Sequence, residues 1–173
     1  MRQKALTVAA ALVIGALAGA ACDNNSGPSG APSTRLTAVL SPTNEVPPVS
    51  TADQTGSGAV SVTLHLTKDS AGSITGGTAD FAVTLTGFPV GTVLTGAHIH
   101  QAAAGSNAGV YLSTGLANGE VTLSTGTGGF TKTAVNLTAA QANALAAPGD
   151  GFYFNVHTTV TPGGAARGQL ALQ

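Results

Sequence analysis

Two runs near the middle of the chain constrain its fold more than any other feature. In one, Val60, Val62, Leu64 and Leu66 alternate with Ser61, Thr63, His65 and Thr67; in the other, Ala79, Phe81, Val83 and Leu85 take every second place. A period of two belongs to a half-buried strand, because successive side chains on a strand point to opposite faces. Lys68-Asp69-Ser70-Ala71-Gly72 between them has turn chemistry, so the pair predicts an antiparallel hairpin with one wet face. Thr, Val, Ser, Ala and 24 glycines among 173 residues, with only 8% charged, fit strands joined by small-residue turns better than helices.

Other segments extend the pattern. Leu36, Ala38 and Leu40 alternate ahead of the hairpin, and the prolines of Ser41–Val49 then forbid a central strand. Gly87-Phe88-Pro89-Val90-Gly91 resets the chain direction. Strands are predicted at 93–100, 110–112, 121–123, 152–158 and 167–172, and the pairs Gly76-Gly77 and Gly128-Gly129 read as turns. Thr138 with Gln141 three residues on forms a capping box for a helix over 139–147, stopped by Pro148-Gly149-Asp150. Asn136-Leu137-Thr138 fits the N-glycosylation pattern, but a strand exit followed by the helix cap explains it better. No unit of 20–50 residues recurs. The predicted fold is all-β: an antiparallel immunoglobulin-like, Greek-key sandwich or barrel of about eight strands with one short helix.

The N-terminal segment has another character. Arg2 and Lys4 precede an apolar run to Ala21, too short for a membrane span and ending in small residues, which is the signal-peptide pattern over 1–21. Cys22 follows Gly19-Ala20-Ala21, similar to a bacterial lipobox, so an acylated cysteine anchoring the chain to a membrane is expected. The other outcome is ordinary cleavage that leaves a free thiol. Residues 22–34 are polar and rich in Gly and Pro, a flexible linker, and the folded domain spans 35–173. The expected location is the cell envelope, on the inner or outer membrane, with the domain facing the periplasm or the exterior. One cysteine allows no intrachain disulfide. Beyond the leader, four basic residues (Arg35, Lys68, Lys132 and Arg167) face seven acids, a net charge of −3, which excludes a nucleic-acid surface.

Chemistry-bearing residues concentrate in Thr95-Gly96-Ala97-His98-Ile99-His100 and in Phe152-Tyr153-Phe154-Asn155-Val156-His157-Thr158. On a strand, His98 and His100 share one face about 6–7 Å apart, with Ile99 on the other. Phe152, Phe154 and Val156 alternate with Tyr153, Asn155 and His157, so the histidines again lie opposite the apolar face. Adjacent strands would bring three imidazoles together. Two readings then compete: a hydrogen-bonded cluster that closes one end of the sandwich, or a mononuclear copper or zinc site with Asn155, Tyr153 and Thr158 as tautomer-fixing neighbours. Arg167 is a five-donor fork for backbone carbonyls or for an acid such as Glu45. His65, among threonines, reads as solvated. No Gly-X-Ser-X-Gly elbow and no phosphate loop with lysine occur.

Asn44-Glu45-Val46-Pro47-Pro48, Ala97-His98-Ile99-His100, Tyr153-Phe154-Asn155-Val156-His157-Thr158 and Arg167-Gly168-Gln169-Leu170 together resemble the CHRD domain, first described in chordin. The resemblance runs from Leu36 to Leu172 and implies an immunoglobulin-like β fold in an exported protein, without a settled activity. The family's usual acidic residue and Ile ahead of Arg-Gly are replaced by Ala165-Ala166. A fainter likeness is to copper/zinc superoxide dismutase, whose copper ligands and arginine would correspond to His98, His100, His157 and Arg167. That likeness is partial, because a second metal site and the intrachain disulfide have no residues to form them. The expected function is a non-enzymatic binding or structural module of the envelope, with an unknown protein or small molecule as partner. The alternative is a mononuclear copper or zinc protein, with redox-metal enzymology as a weaker third reading.

Overall fold

The computed structural model describes residues 33–173, so the leader, Cys22 and nearly all of the linker lie outside the described residues. Ten strands are present: β1 (Thr34–Leu40), β2 (Ser57–Lys68), β3 (Ile74–Thr86), β4 (Thr92–His100), β5 (Val110–Ser113), β6 (Thr122–Leu123), β7 (Gly128–Leu137), β8 (Tyr153–Thr158), β9 (Ala166–Gln169) and β10 (Ala171–Leu172). They form two antiparallel sheets in the orders β10-β1-β2-β3-β7 and β5-β4-β8-β9, with β6 on β4. This is a sandwich rather than a closed barrel.

The predicted hairpin is β2–β3, paired from Ser57↔Thr86 to Lys68↔Ile74. Its turn is shaped by Asp69, whose Oδ1 accepts from the amides of Ala71 and Ser73, both at 2.9 Å. The apolar faces read from the alternation are the ones buried. Leu36, Leu40, Val62, Leu64, Phe81 and Leu85 meet Ile99, Phe154 and Val156 of the second sheet and Leu170 between β9 and β10, each at most 2% exposed. Phe81 and Phe154 stack across the two sheets with ring centres 6.1 Å apart.

Two strands beyond the expected eight have separate causes. The first is β7. Gly128-Gly129, read as a turn, lies inside it, and Gly76-Gly77 lies inside β3. Each pair marks a close backbone approach: a Cβ on Gly129 would sit 2.1 Å from the Val83 carbonyl oxygen, and one on Gly77 would sit 2.4 Å from that of His65. A bulge also breaks the period of β7. Phe81 faces Lys132 while Ala79 faces Val135, with Ala134 between at φ 56° and its amide bonded to Asp80 Oδ1 at 2.8 Å. Asp80 also pairs with the exposed His65 at 2.9 Å, which gives that histidine a surface partner.

The second cause is the C-terminal strand, predicted as one piece over 167–172. It pairs with β8 through β9 and with β1 through β10, and Ser41↔Arg167 continues the β1 register. The segment therefore belongs to both sheets and seams them along one side. Gly168 faces β1 at this seam, where a Cβ would lie 2.1 Å from the Val39 carbonyl oxygen.

The helix, α1 (Ala139–Ala146), has both halves of the capping box. Thr138 Oγ1 accepts from the Gln141 amide at 3.2 Å, and Gln141 Oε1 accepts from the Thr138 amide at 3.0 Å. It buries Ala142 and Leu145 against the core, and Gln141 Nε2 donates to the Tyr111 carbonyl at 3.0 Å. Thr138 is thus a cap at a strand exit.

Substituting Gly168→Ala forces a methyl group into the seam. It is expected to lower unfolding free energy in urea by on the order of 1–3 kcal/mol. Gly163→Ala, where no atom lies within 4 Å of the added carbon, is expected to leave stability unchanged or to raise it by up to about 1 kcal/mol.

Candidate functional site

The outer face of the second sheet is polar, and loops cover it. Strand register sets out its side chains in rows. Ser113, His98, Asn155 and Arg167 stand opposite one another across β5, β4, β8 and β9, and the row continues to Ser41 beyond β1. His100, Tyr153 and Gln169 form the next row. A bulge at Thr95 lies between the pairs Leu94↔Thr158 and Gly96↔His157. It lets Leu94 and Ala97, three residues apart, both face the core, while His98 and His100 stay on the outer face.

The three histidines converge. One ring nitrogen from each of His98, His100 and His157 lies within 4.8 Å of the other two. His98 Nδ1 and His157 Nε2 are 3.1 Å apart, and the His98 and His100 rings meet edge to face at 5.8 Å. A backbone carbonyl fixes the His157 tautomer, and another faces His100. His157 Nδ1 donates to the Pro162 oxygen at 2.9 Å, leaving its Nε2 as the lone-pair nitrogen, and His100 Nδ1 lies 3.0 Å from the Ala108 oxygen. His100 Nε2 lies 3.0 Å from Asn155 Oδ1, so this ring meets an acceptor at each nitrogen. His98 Nδ1–H in turn donates to His157 Nε2. Gly96 makes room for this ring, since a Cβ there would sit 3.1 Å from His98 Cε1.

Burial pushes the His98 imidazole down to about 4, and the nearby His157 and His100 rings add to the shift. His157 is also lowered, first by burial, against the pull of the Pro162 carbonyl. At neutral pH both rings are neutral and carry nitrogen lone pairs, the form in which imidazole binds a metal.

Arg167 is 2% exposed and organises the rest of the face. Its guanidinium lies 4.0 Å from the centre of the Tyr153 ring, which also stacks on His100 at 4.8 Å. One arm donates to the Ser106 carbonyl and the other to Asn107 Oδ1, both at 2.9 Å. The fork is therefore taken by loop acceptors, and no Glu45–Arg167 ion pair occurs among the described residues. Asn107 also donates to the Val46 carbonyl at 2.7 Å, clasping the loop 101–109 to the loop 41–50. Asn44 closes the circuit by donating to the Arg167 carbonyl at 3.1 Å.

Glu45 is buried beneath this clasp, packed so closely over Gly164 that a Cβ there would lie 2.7 Å from both carboxylate oxygens. Its Oε1 has no hydrogen-bond partner. Burial raises the carboxyl to about 7, and Arg167 and Asn155 pull it only part of the way back.

Thr158 lies apart from the histidines. It faces inward with Phe154 and Val156 and donates to Asp53 Oδ2 at 2.5 Å, where Thr161 donates as well at 2.7 Å. Asp53 is fully buried, and Thr51, whose Oγ1 accepts from the Asp53 amide, is 2.6 Å from Thr161 Oγ1. Asp53 and Asn107 have no counterpart among the residues singled out from the sequence. Asn107 sits in a loop of small residues that carries no periodic signal. For Asp53, the Thr51-Ala52-Asp53 turn was the available sign.

The raised Glu45 carboxyl makes the fold hold this proton more tightly than the unfolded chain does. That stabilisation is complete below about 4.5 and is lost as pH rises through 7. Measured against Glu45→Gln, which cancels the histidine contributions, wild-type stability is expected to fall by on the order of 2 kcal/mol between pH 5 and pH 8 in urea denaturation.

The family described as the CHRD domain matches residues 36–170, from the first buried leucine of β1 to the seam strand. No curated protein and no solved structure matches the chain, so the fainter likeness to copper/zinc superoxide dismutase gains no support. The matched span holds both sheets apart from β10, the three histidines and the Arg167–Gly168 seam, and the chain belongs to the CHRD domain family.

Proposed function

We propose that this chain is a lipid-tethered, non-catalytic domain of the cell envelope that binds its partner through the loop-covered face of the second sheet. The observation that carries the tether is the order of segments: a basic start, an apolar run, small residues, Cys22 and a polar linker that leads directly into β1. The linker joins β1 at Thr34, whereas the polar row lies at Ser41, about 23 Å further along the strand. The face is therefore held away from the lipid.

The partners of the histidines support the non-catalytic reading. Each ring bonds a backbone carbonyl, an amide or another imidazole, so none stands as the base beside a hydroxyl or thiol.

Expression of the full chain in a bacterium with two membranes tests the tether. The wild type is expected in the membrane fraction with the mass of an acylated Cys22, and Cys22→Ser is expected in the soluble envelope fraction. An unmodified N-terminus at Ala21 or Cys22 would overturn the anchor.

A further inference from the structure

We infer that His98, His100 and His157 form a mononuclear binding site for a late first-row divalent ion, copper or zinc. The inference rests on the reading of this face as the binding surface and names its ligand; it does not depend on the tether.

Three nitrogens bound to one such ion at about 2.0–2.1 Å stand about 3.3 Å apart in tetrahedral geometry. The His98–His157 pair is already at 3.1 Å, and no pair in the trio exceeds 4.8 Å. Small ring rotations are enough to close the set. The Pro162 carbonyl holds the Nδ1 hydrogen of His157, as outer partners do in metal centres, and leaves its Nε2 as a donor, while the Ala108 carbonyl faces Nδ1 of His100, whose Nε2 exchanges Asn155 Oδ1 for the ion. His98 supplies Nδ1, whose hydrogen fills the place of the ion when none is bound. Stacking on Tyr153 and the carbonyl bond fix the deepest ring, His100, so part of the ordering cost is met by the fold itself. His98 and His157 are only half-buried, which leaves the site a path to solvent and a position for a further ligand.

An all-imidazole set with no thiolate and no carboxylate selects for copper, zinc and nickel over magnesium and calcium, and copper(II) is expected to bind tightest. The structure assigns no role here to His65, which lies on the other sheet beside Asp80.

The test is titration of the purified full chain, stripped with chelator, with zinc chloride by calorimetry and with copper(II) by electron paramagnetic resonance. One ion per chain is expected, with Kd at or below about 1 µM and nitrogen hyperfine coupling in the copper spectrum. His98→Ala and His157→Ala are each expected to weaken binding by about 100-fold or more, and His65→Ala to leave it unchanged. Gly96→Ala, which crowds the His98 ring without removing a donor, is expected to weaken it less. Circular dichroism melts on every variant separate loss of ligand from loss of fold. Wild-type affinity weaker than about millimolar would overturn the site, as would copper bound equally well by folded His98→Ala and His157→Ala proteins. Membrane fractionation of the same chain stays unaffected in either case, so failure of the site and failure of the tether are read separately.

Discussion

A guanidinium placed almost wholly out of water is the constraint on which the outer half of this molecule depends. A buried cation is costly unless its hydrogens are taken up and its charge is faced by something polarisable. Arg167 has both, from the Ser106 carbonyl, the Asn107 amide oxygen and the Tyr153 ring. None of these acceptors belongs to its own strand, so two loops must fold over the sheet to supply or steady them. Once there, the same loops deliver the Ala108 carbonyl to His100 and bring Glu45 to rest over Gly164. The residue after the arginine matters as much. Gly168 allows the strand to lie against β1, and this seam turns two separate sheets into one shell. The Arg167-Gly168 pair thus joins polar satisfaction on one side of the strand to close packing on the other.

What could be read from residues alone followed the strength of the period-two signal. β1, β2, β3 and β8 alternate cleanly, and their inward residues form the core. The histidine convergence followed from the same parity, because His98, His100 and His157 could share one surface only if β4 and β8 were neighbours. β7 escaped because Ala134 adds one residue to its rhythm: Phe130 and Lys132 face one way, and Val135 and Leu137 resume it out of step. Glycine pairs misled for a related reason. Glycine signals either a turn or a place where a neighbouring backbone comes close, and only the register tells the two apart.

The candidate site divides in the same manner. Side chains on strands were legible, whereas the groups that hold them were not. The carbonyls of Ala108, Pro162 and Ser106 carry no sequence signature, and Asn107 became visible only as the clasp between two loops. Thr158 was a near neighbour in sequence, yet parity sends it to Asp53 on the inner side. Glu45 and Arg167, expected as possible partners, share a neighbourhood instead: burial acts on the carboxyl more strongly than the cation does.

The broken rhythm of β7 has a bearing on how many copies of this domain can live side by side. Its open margin would otherwise offer a long, straight row of amides and carbonyls to another molecule. The bulge at Ala134 divides that margin into two short runs, and Lys132 is drawn across to Glu120 at 2.7 Å instead of lying flat along the strand. The interruption shortens the continuous template that this margin offers to a foreign strand. Where two such domains meet edge to edge, this interrupted margin works against the pairing of one strand with another.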